Sequence, residues 1–320
     1  MAEEQQHYWG GETRNITVES GSSIPVVICH NGKGRCAGLT FVLGAANIPL
    51  SKYTTIKDTL LAINHVVVGI YTDVLSLRQG VSHRKKAKNV YDIFNQLKGE
   101  FNVSDYNIVG HSIGGKIALL VAALHNKDKC IKSIIALDPV DQTPVEFSKL
   151  PPKGQKVNND NLPLSEDVTN ANIIMTCTDS GFFISKNHNA KAIQRLNRSN
   201  NKIQLVSHRN AGHMAYCDKE EGGYSWKAVM DVGTSEVTAE RNNEVKKNTI
   251  ELIQQLNKSI INKGGMAVSG VSKSTGKTIK GLKDGVKNSI KDMKNEVKSA
   301  TSTGTANKFM MKSMLKSIVK

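Results

Sequence analysis

The stretch YNIVGHSIGGK, Tyr106 to Lys116, decides how the rest of the chain is read. Tyr106 to Gly110 is a short run rich in β-formers, and KIALLVAAL, Lys116 to Leu124, is apolar at helical spacing. Between them Gly110-His111-Ser112-Ile113-Gly114 spells G-x-S-x-G, in the strand–turn–helix context that gives the pattern meaning. The spacing has a steric cause. A serine on a tight turn between strand and helix has its hydroxyl lifted above a sheet, and only glycine on either side leaves room for the adjacent backbone. A helix starting after Ser112 aims its first amides at a developing negative charge. Ser112 is therefore the candidate nucleophile, and the Ile113 N–H one candidate oxyanion donor.

The flanking sequence repeats the same alternation. Ile24 to His30, His65 to Tyr71, Tyr106 to Gly110, Ile131 to Leu137, Ala171 to Thr176 and Ile203 to His208 read as strands. They are largely continuous in apolar character, as expected when both faces of a sheet are covered. Ala87, Val90, Tyr91, Phe94, Leu97 and Phe101 fall at helical spacing, as do Ile117, Leu120, Val121 and Leu124, and Val245, Thr249, Leu252, Ile253, Leu256 and Ile260. Strands alternating with helices predict an α/β fold with a mostly parallel central sheet flanked by helices, and chemistry at the carboxyl ends of the strands. Residues 1–23 are read as an extension or one or two leading strands, 24–261 as the main domain, and 262–320 as a tail. Pro139 to Asp167 is polar and reads as a long loop or lid.

A serine nucleophile needs a base and a group to orient it. In this fold the chain order is serine, acid, histidine, which leaves His208 and His213. His213 lies in Asn-Ala-Gly-His-Met just after the last strand and is preferred; His208 ends that strand and reads as a packed residue. His111 reads as elbow filler whose side chain packs beneath the site, and His30 as a strand-end residue. For the acid, Asp138 ends one strand and Asp179 follows the next, with Asp141 a weaker third because Pro139 turns the chain first. The second oxyanion amide is expected from the loop His30-Asn31-Gly32-Lys33-Gly34, at Asn31 or Gly32.

Three motifs occur in order: GHSIGGK at 110–116, ALDPVDQT at 136–143 and GHM at 212–214. With these, residues from about Ile24 to Ile261 resemble the α/β-hydrolases, and within them the chlorophyllase and cutinase-like serine esterases. The resemblance implies that Asp138, the aspartate of the DPV run, is the acid, whereas the general position in the superfamily lands on Asp179. It implies hydrolysis of a small-molecule or lipid carboxylic ester through a Ser-His-Asp triad and an acyl-enzyme, with no cofactor and no metal. The rival reading is a catalytically silent hydrolase-fold protein, a binding or structural module tethered by its tail.

Charge separates the two parts. The chain has 320 residues and a formal net charge of +15. Residues 258–320 carry 14 lysines, no arginine and three acids (Asp284, Asp292 and Glu296), a net of +11. The remainder is nearly balanced, which argues against a nucleic-acid-binding core. Within the tail, Thr278 to Asn288 and Ser289 to Ser299 form an 11-residue repeat, with a faded copy at 267–277. That period is three helical turns, so Ile279, Leu282, Val286, Ile290, Met293 and Val297 line one narrow stripe with lysine beside it. The tail resembles synuclein-like lipid-surface helices, which implies an anionic membrane as partner for residues 267–320; a solvated or disordered tail is the alternative. Ser274 to Thr278 lacks the glycine spacing and preceding strand of a P-loop.

Five cysteines with no CxxC pair argue against a disulfide framework or structural zinc site. The N-terminus is polar and acidic, unlike a secretory signal, and no apolar run approaches a membrane span. The cytoplasm is the default location, with a membrane surface as the alternative. The abundance of Asn, Lys and Ile suits an AT-rich genome, which adds a virion should the source be a large DNA virus.

Overall fold

The computed structural model describes residues 9–32, 35–45, 48–71, 83–125, 128–139, 171–180, 202–218 and 239–257, and of 179–180, 202–203, 209–210, 239 and 257 the backbone alone. The chain divides into two units, Met1–Ser269 and Gly270–Lys320, and every described residue belongs to the first. The tail, the 140–170 segment and residues 1–8 lie outside the described residues.

Eight strands form one sheet: β1 (Glu12–Thr17), β2 (Ser23–Cys29), β3 (Gly38–Leu43), β4 (His65–Ile70), β5 (Tyr106–His111), β6 (Ile131–Leu137), β7 (Asn172–Ser180) and β8 (Lys202–Gly212). Their order across the sheet is β1-β2-β4-β3-β5-β6-β7-β8. β2 runs antiparallel to both neighbours, and every pairing from β4 through to β8 is parallel. The described helices are α1 (Thr54–Ala62), α2 (His83–Glu100), α3 (Ile113–Leu124) and α4 (Ala239–Gln254). The α/β class and mostly parallel sheet expected from the sequence are what the chain adopts.

Alternate residues of each strand serve two cores. Val26, Ile28, Phe41, Val68, Ile108 and Ile134 pack with α2 and α3 on one face. Val27, Val42, Val67, Val109, Ile135 and Ile174 pack with Trp9, α1 and α4 on the other. This is why the strand sequences run apolar without alternation. Each such side chain withdrawn from water contributes roughly 1.5–3 kcal/mol before entropy is counted.

Two elements escaped the sequence reading. β3, GLTFVL, is buried at all six positions and lies between β4 and β5 in the middle of the sheet. Its pattern is broken by Thr40, whose hydroxyl pairs with His65 Nδ1 at 2.7 Å inside the core. α1 was hidden by its run of threonines, poor formers of an isolated helix. β7 also runs on to Ser180, so Thr178 and Asp179 belong to the strand rather than follow it.

Among the described residues no helix is long and apolar enough to cross a membrane.

Candidate active site

The carboxyl ends of β5, β6 and β8 converge. β5 delivers Ser112, which sits at φ 57° and ψ −120°, a backbone conformation seldom adopted by a side-chain-bearing residue. The flanking glycines are demanded by close approach: a Cβ on Gly110 would overlap the Gly114 carbonyl, and one on Gly114 would overlap the Leu43 carbonyl at the end of β3. The turn is held by Ser112 N–H donating to the Leu137 carbonyl at 2.9 Å, and by Lys116 N–H donating to the Ser112 carbonyl at 3.1 Å as α3 begins.

Asp138, directly after β6, also has positive φ, at 43°. Two strained non-glycine residues thus end two adjacent strands, a concentration typical of functional sites. The Asp138 amide donates to the Thr176 carbonyl at 2.9 Å. Its carboxylate accepts from Thr178 N–H at 3.2 Å, from Thr178 Oγ1–H at 2.5 Å and from His213 Nδ1 at 2.7 Å. Since a carboxylate only accepts, Nδ1 carries a proton, and the neutral form of the ring has its lone pair on Nε2. His213 opens a short 3₁₀ turn, His213–Tyr216, directly after β8. Its Nε2 is buried and has no hydrogen-bond partner among the described residues.

Of the residues expected from sequence, the structure brings Asp138 and His213 together near the Ser112 elbow. His208 is buried opposite Thr178 on β8, with its ring 6.3 Å from that of Tyr216 and burial lowering its pKa. The Asp179 side chain and all of Asp141 lie outside the described residues.

The expected oxyanion residues Asn31 and Gly32 are a correction. β2 runs antiparallel to β4, so Cys29 pairs with Val67 and the loop after it lies at the amino ends of the parallel strands. Ser112 is at their carboxyl ends. There Asn31 donates from Nδ2 to the Leu61 carbonyl at 2.6 Å, and His30 stands edge-on to Phe101. The error follows from the unread β3: the backbone against the elbow is Leu43–Gly44, one strand later.

His111 is more than filler. Its Nδ1 meets the Tyr53 hydroxyl and its Nε2 the His213 carbonyl, each at 2.9 Å. Burial and the nearby His213 hold its pKa well below the ordinary value, so it stays neutral. Thr178, Tyr53 and Tyr216, whose hydroxyl accepts from Thr176 Oγ1 at 2.8 Å, went unnoticed in the sequence. Only the pairing of Thr176 and Thr178 on one face of β7 hinted at them. Among the described residues no group of His, Cys, Asp and Glu could hold a metal ion.

Strand order, elbow and histidine turn together define the α/β-hydrolase fold. A family model described as the alpha/beta hydrolase fold matches residues 78–158, which include Ser112 and Asp138. Among solved structures the chain is similar to Est1E from Butyrivibrio proteoclasticus, with 13% identity and a TM-score of 0.52 over 76% of this chain and 98% of that one. It is similar to the Pyrococcus furiosus esterase Pf2001 at 14% identity and TM-score 0.52, over 77% of this chain and 92% of that one. It is also similar to 2,6-dihydroxy-pseudo-oxynicotine hydrolase at 12% identity and TM-score 0.55, over 78% and 68%. At such identities the likeness is one of fold. No curated protein matches the chain in sequence.

Proposed function

We propose that the protein is a serine hydrolase of carboxylic esters, with Ser112 as nucleophile, His213 as general base and Asp138 as the orienting acid. The observation that carries this reading is the state of His213. Its Nδ1 is fixed by Asp138 at 2.7 Å, while its buried Nε2 has no partner among the described residues. An unsatisfied buried polar atom costs about 1–3 kcal/mol, and a nitrogen that receives and returns a proton gives that cost a purpose.

The steps follow from these roles. Ser112 Oγ attacks the ester carbonyl carbon as its proton passes to His213 Nε2. The carbonyl oxygen, now negative, is held by the Ile113 amide at the start of α3. Collapse breaks the ester C–O bond, and the departing alkoxide takes the proton from Nε2. Water then attacks the acyl-enzyme with His213 again as base, releasing the acid and restoring the serine. Asp138 keeps the imidazole in one tautomer and offsets its positive charge.

The ester class draws support from the motif set and from the esterases among the structures sharing the fold. The finer kinship, with chlorophyllase and cutinase-like enzymes, draws support from Asp138, the DPV aspartate, being the carboxylate against His213. A fluorophosphonate probe should label the wild type and leave Ser112→Ala unlabelled, with nitrophenyl-ester turnover falling about 10⁴-fold or more. Equal labelling of the two would leave the silent binding module as the better reading.

We also propose that residues 267–320 bring the protein to anionic membranes, with lysines meeting headgroups at about 1 kcal/mol each and the apolar stripe entering the interface. The full chain should float with phosphatidylserine-containing vesicles. Replacing Lys280, Lys283, Lys287 and Lys291 by serine should reduce flotation markedly; no reduction would discard the membrane role.

A further inference from the structure

We infer that Tyr53 and His111 are positioning residues that tie the loop after β3 to the turn bearing His213. The inference rests on the hydrolase reading above and assigns two residues that the triad leaves unused. Three hydrogen bonds form one chain: Ala45 N–H to Tyr53 Oη at 2.8 Å, Tyr53 Oη to His111 Nδ1 at 2.9 Å, and His111 Nε2 to the His213 carbonyl at 2.9 Å.

The three bonds together fix the direction of each one. The His213 carbonyl can only accept, so His111 carries its hydrogen on Nε2. The neutral ring then accepts at Nδ1, and Tyr53 must donate its single proton there. That leaves the Tyr53 oxygen free to accept the Ala45 amide. A neutral His111 is what burial and the neighbouring His213 enforce. Along the chain every bond runs in one direction, Cys217 Sγ also approaches His111 Nδ1 at 3.8 Å, and Ala45, Tyr53 and His111 are all buried. In a low-dielectric interior such a chain strengthens its members and resists rearrangement.

Its place gives it a task. Ala45 follows Leu43 and Gly44, whose backbone lies against Gly114 of the elbow, and His111 precedes the nucleophile. His213 is the base, and the ring of His111 lies 4.6 Å from it as a floor. The chain therefore sets the separation between the backbone after β3, at Ala45, and the turn that carries the base. A leucine at 111 would fill the space without holding the His213 carbonyl. A phenylalanine at 53 would fill the space without accepting the Ala45 amide.

The test is made in the full-length protein. Rates are expressed per site labelled by fluorophosphonate, so unfolded molecules do not count. Tyr53→Phe should lower kcat about tenfold with KM unchanged, and His111→Leu about 100-fold. His111→Gln, whose side-chain N–H can reach the His213 carbonyl, should stay within about threefold of wild type. Tyr53→Phe should add little to His111→Leu, because both break one chain. Independently of activity, Tyr53→Phe should speed hydrogen exchange at the Ala45 amide. Wild-type kcat in Tyr53→Phe, a loss expressed in KM, or glutamine no better than leucine at 111 would overturn the inference. Should His111→Leu fail to fold, Tyr53→Phe still decides. If the wild type takes no label, the hydrolase reading falls, and exchange at Ala45 alone then decides the tie: unchanged exchange overturns it.

Discussion

His213 Nδ1 stands 2.7 Å from Asp138 Oδ2, with each side chain 1% exposed, although 75 residues and the whole of β7 and β8 separate them in the chain. A carboxylate buried to that degree is costly unless its oxygens are satisfied. Here Thr178 supplies two donors and His213 another. Pair and threonine form one unit, and each member can be tested apart.

Replacing the acid separates the two aspartates. Asp138→Asn keeps size and packing but presents an amide to Nδ1 and favours the wrong tautomer. We expect kcat on nitrophenyl esters to drop about 10⁴-fold. Asp179→Asn should stay within about threefold of wild type. The reverse outcome would transfer the role to Asp179.

Thr178 should matter through its hydroxyl. Thr178→Val retains shape and the backbone donor but removes the Oγ1–H bond to Asp138. Hydrogen bonds to charged groups are worth about 1.5–3 kcal/mol, so a fall of about tenfold or more in kcat is expected, and Thr178→Ser should recover most of it. Steady-state kinetics on the three proteins is sufficient.

Asp218 should act on stability. The residue before α1, Tyr53, makes no side-chain cap. Instead Asp218, just past the histidine turn, accepts from Thr55 N–H at 2.9 Å and Thr55 Oγ1–H at 2.5 Å, with Lys246 Nζ at 3.2 Å. Asp218→Ala should cost about 1–2 kcal/mol in urea unfolding, the size of a lost helix cap. Lys246→Ala should cost under about 1 kcal/mol, because its ion pair is partly exposed.

His83 should set part of the acid sensitivity. It is buried at the start of α2, both ring nitrogens have no hydrogen-bond partner among the described residues, and burial together with Lys116 lowers its pKa from 6.5 to about 3. Above pH 6.5 the group is neutral folded or unfolded and has no effect. Between 6.5 and about 3 only the unfolded chain takes the proton, so stability is lost as pH falls through that window. The full effect is on the order of 5 kcal/mol. His83→Leu should flatten the decline of Tm between pH 6 and 4; an unchanged slope would assign the decline to other groups.

How much of this was legible can be judged residue by residue. The elbow was readable because Gly110, Ser112 and Gly114 answer a local steric demand, expressed within five consecutive positions. Most core strands were readable because burial on both faces leaves an unbroken apolar run. β3 was overlooked because Thr40 interrupts it, and the partner that satisfies Thr40, His65, is 25 residues away. That single omission shifted the expected oxyanion residues to Asn31 and Gly32, at the amino ends of the parallel strands, away from Ser112 at their carboxyl ends.

The amino-acid sequence by itself determined the α/β class, the position of Ser112 and a short list of acids and histidines, since each depends on neighbours along the chain. Only the tertiary structure decided which carboxylate meets which imidazole, which loop lies against the elbow, and that His111 holds the His213 backbone. Those are contacts between strand ends distant in sequence. They depend on β3 entering the sheet between β4 and β5, an ordering set by the packing of whole elements and written in no single stretch of residues.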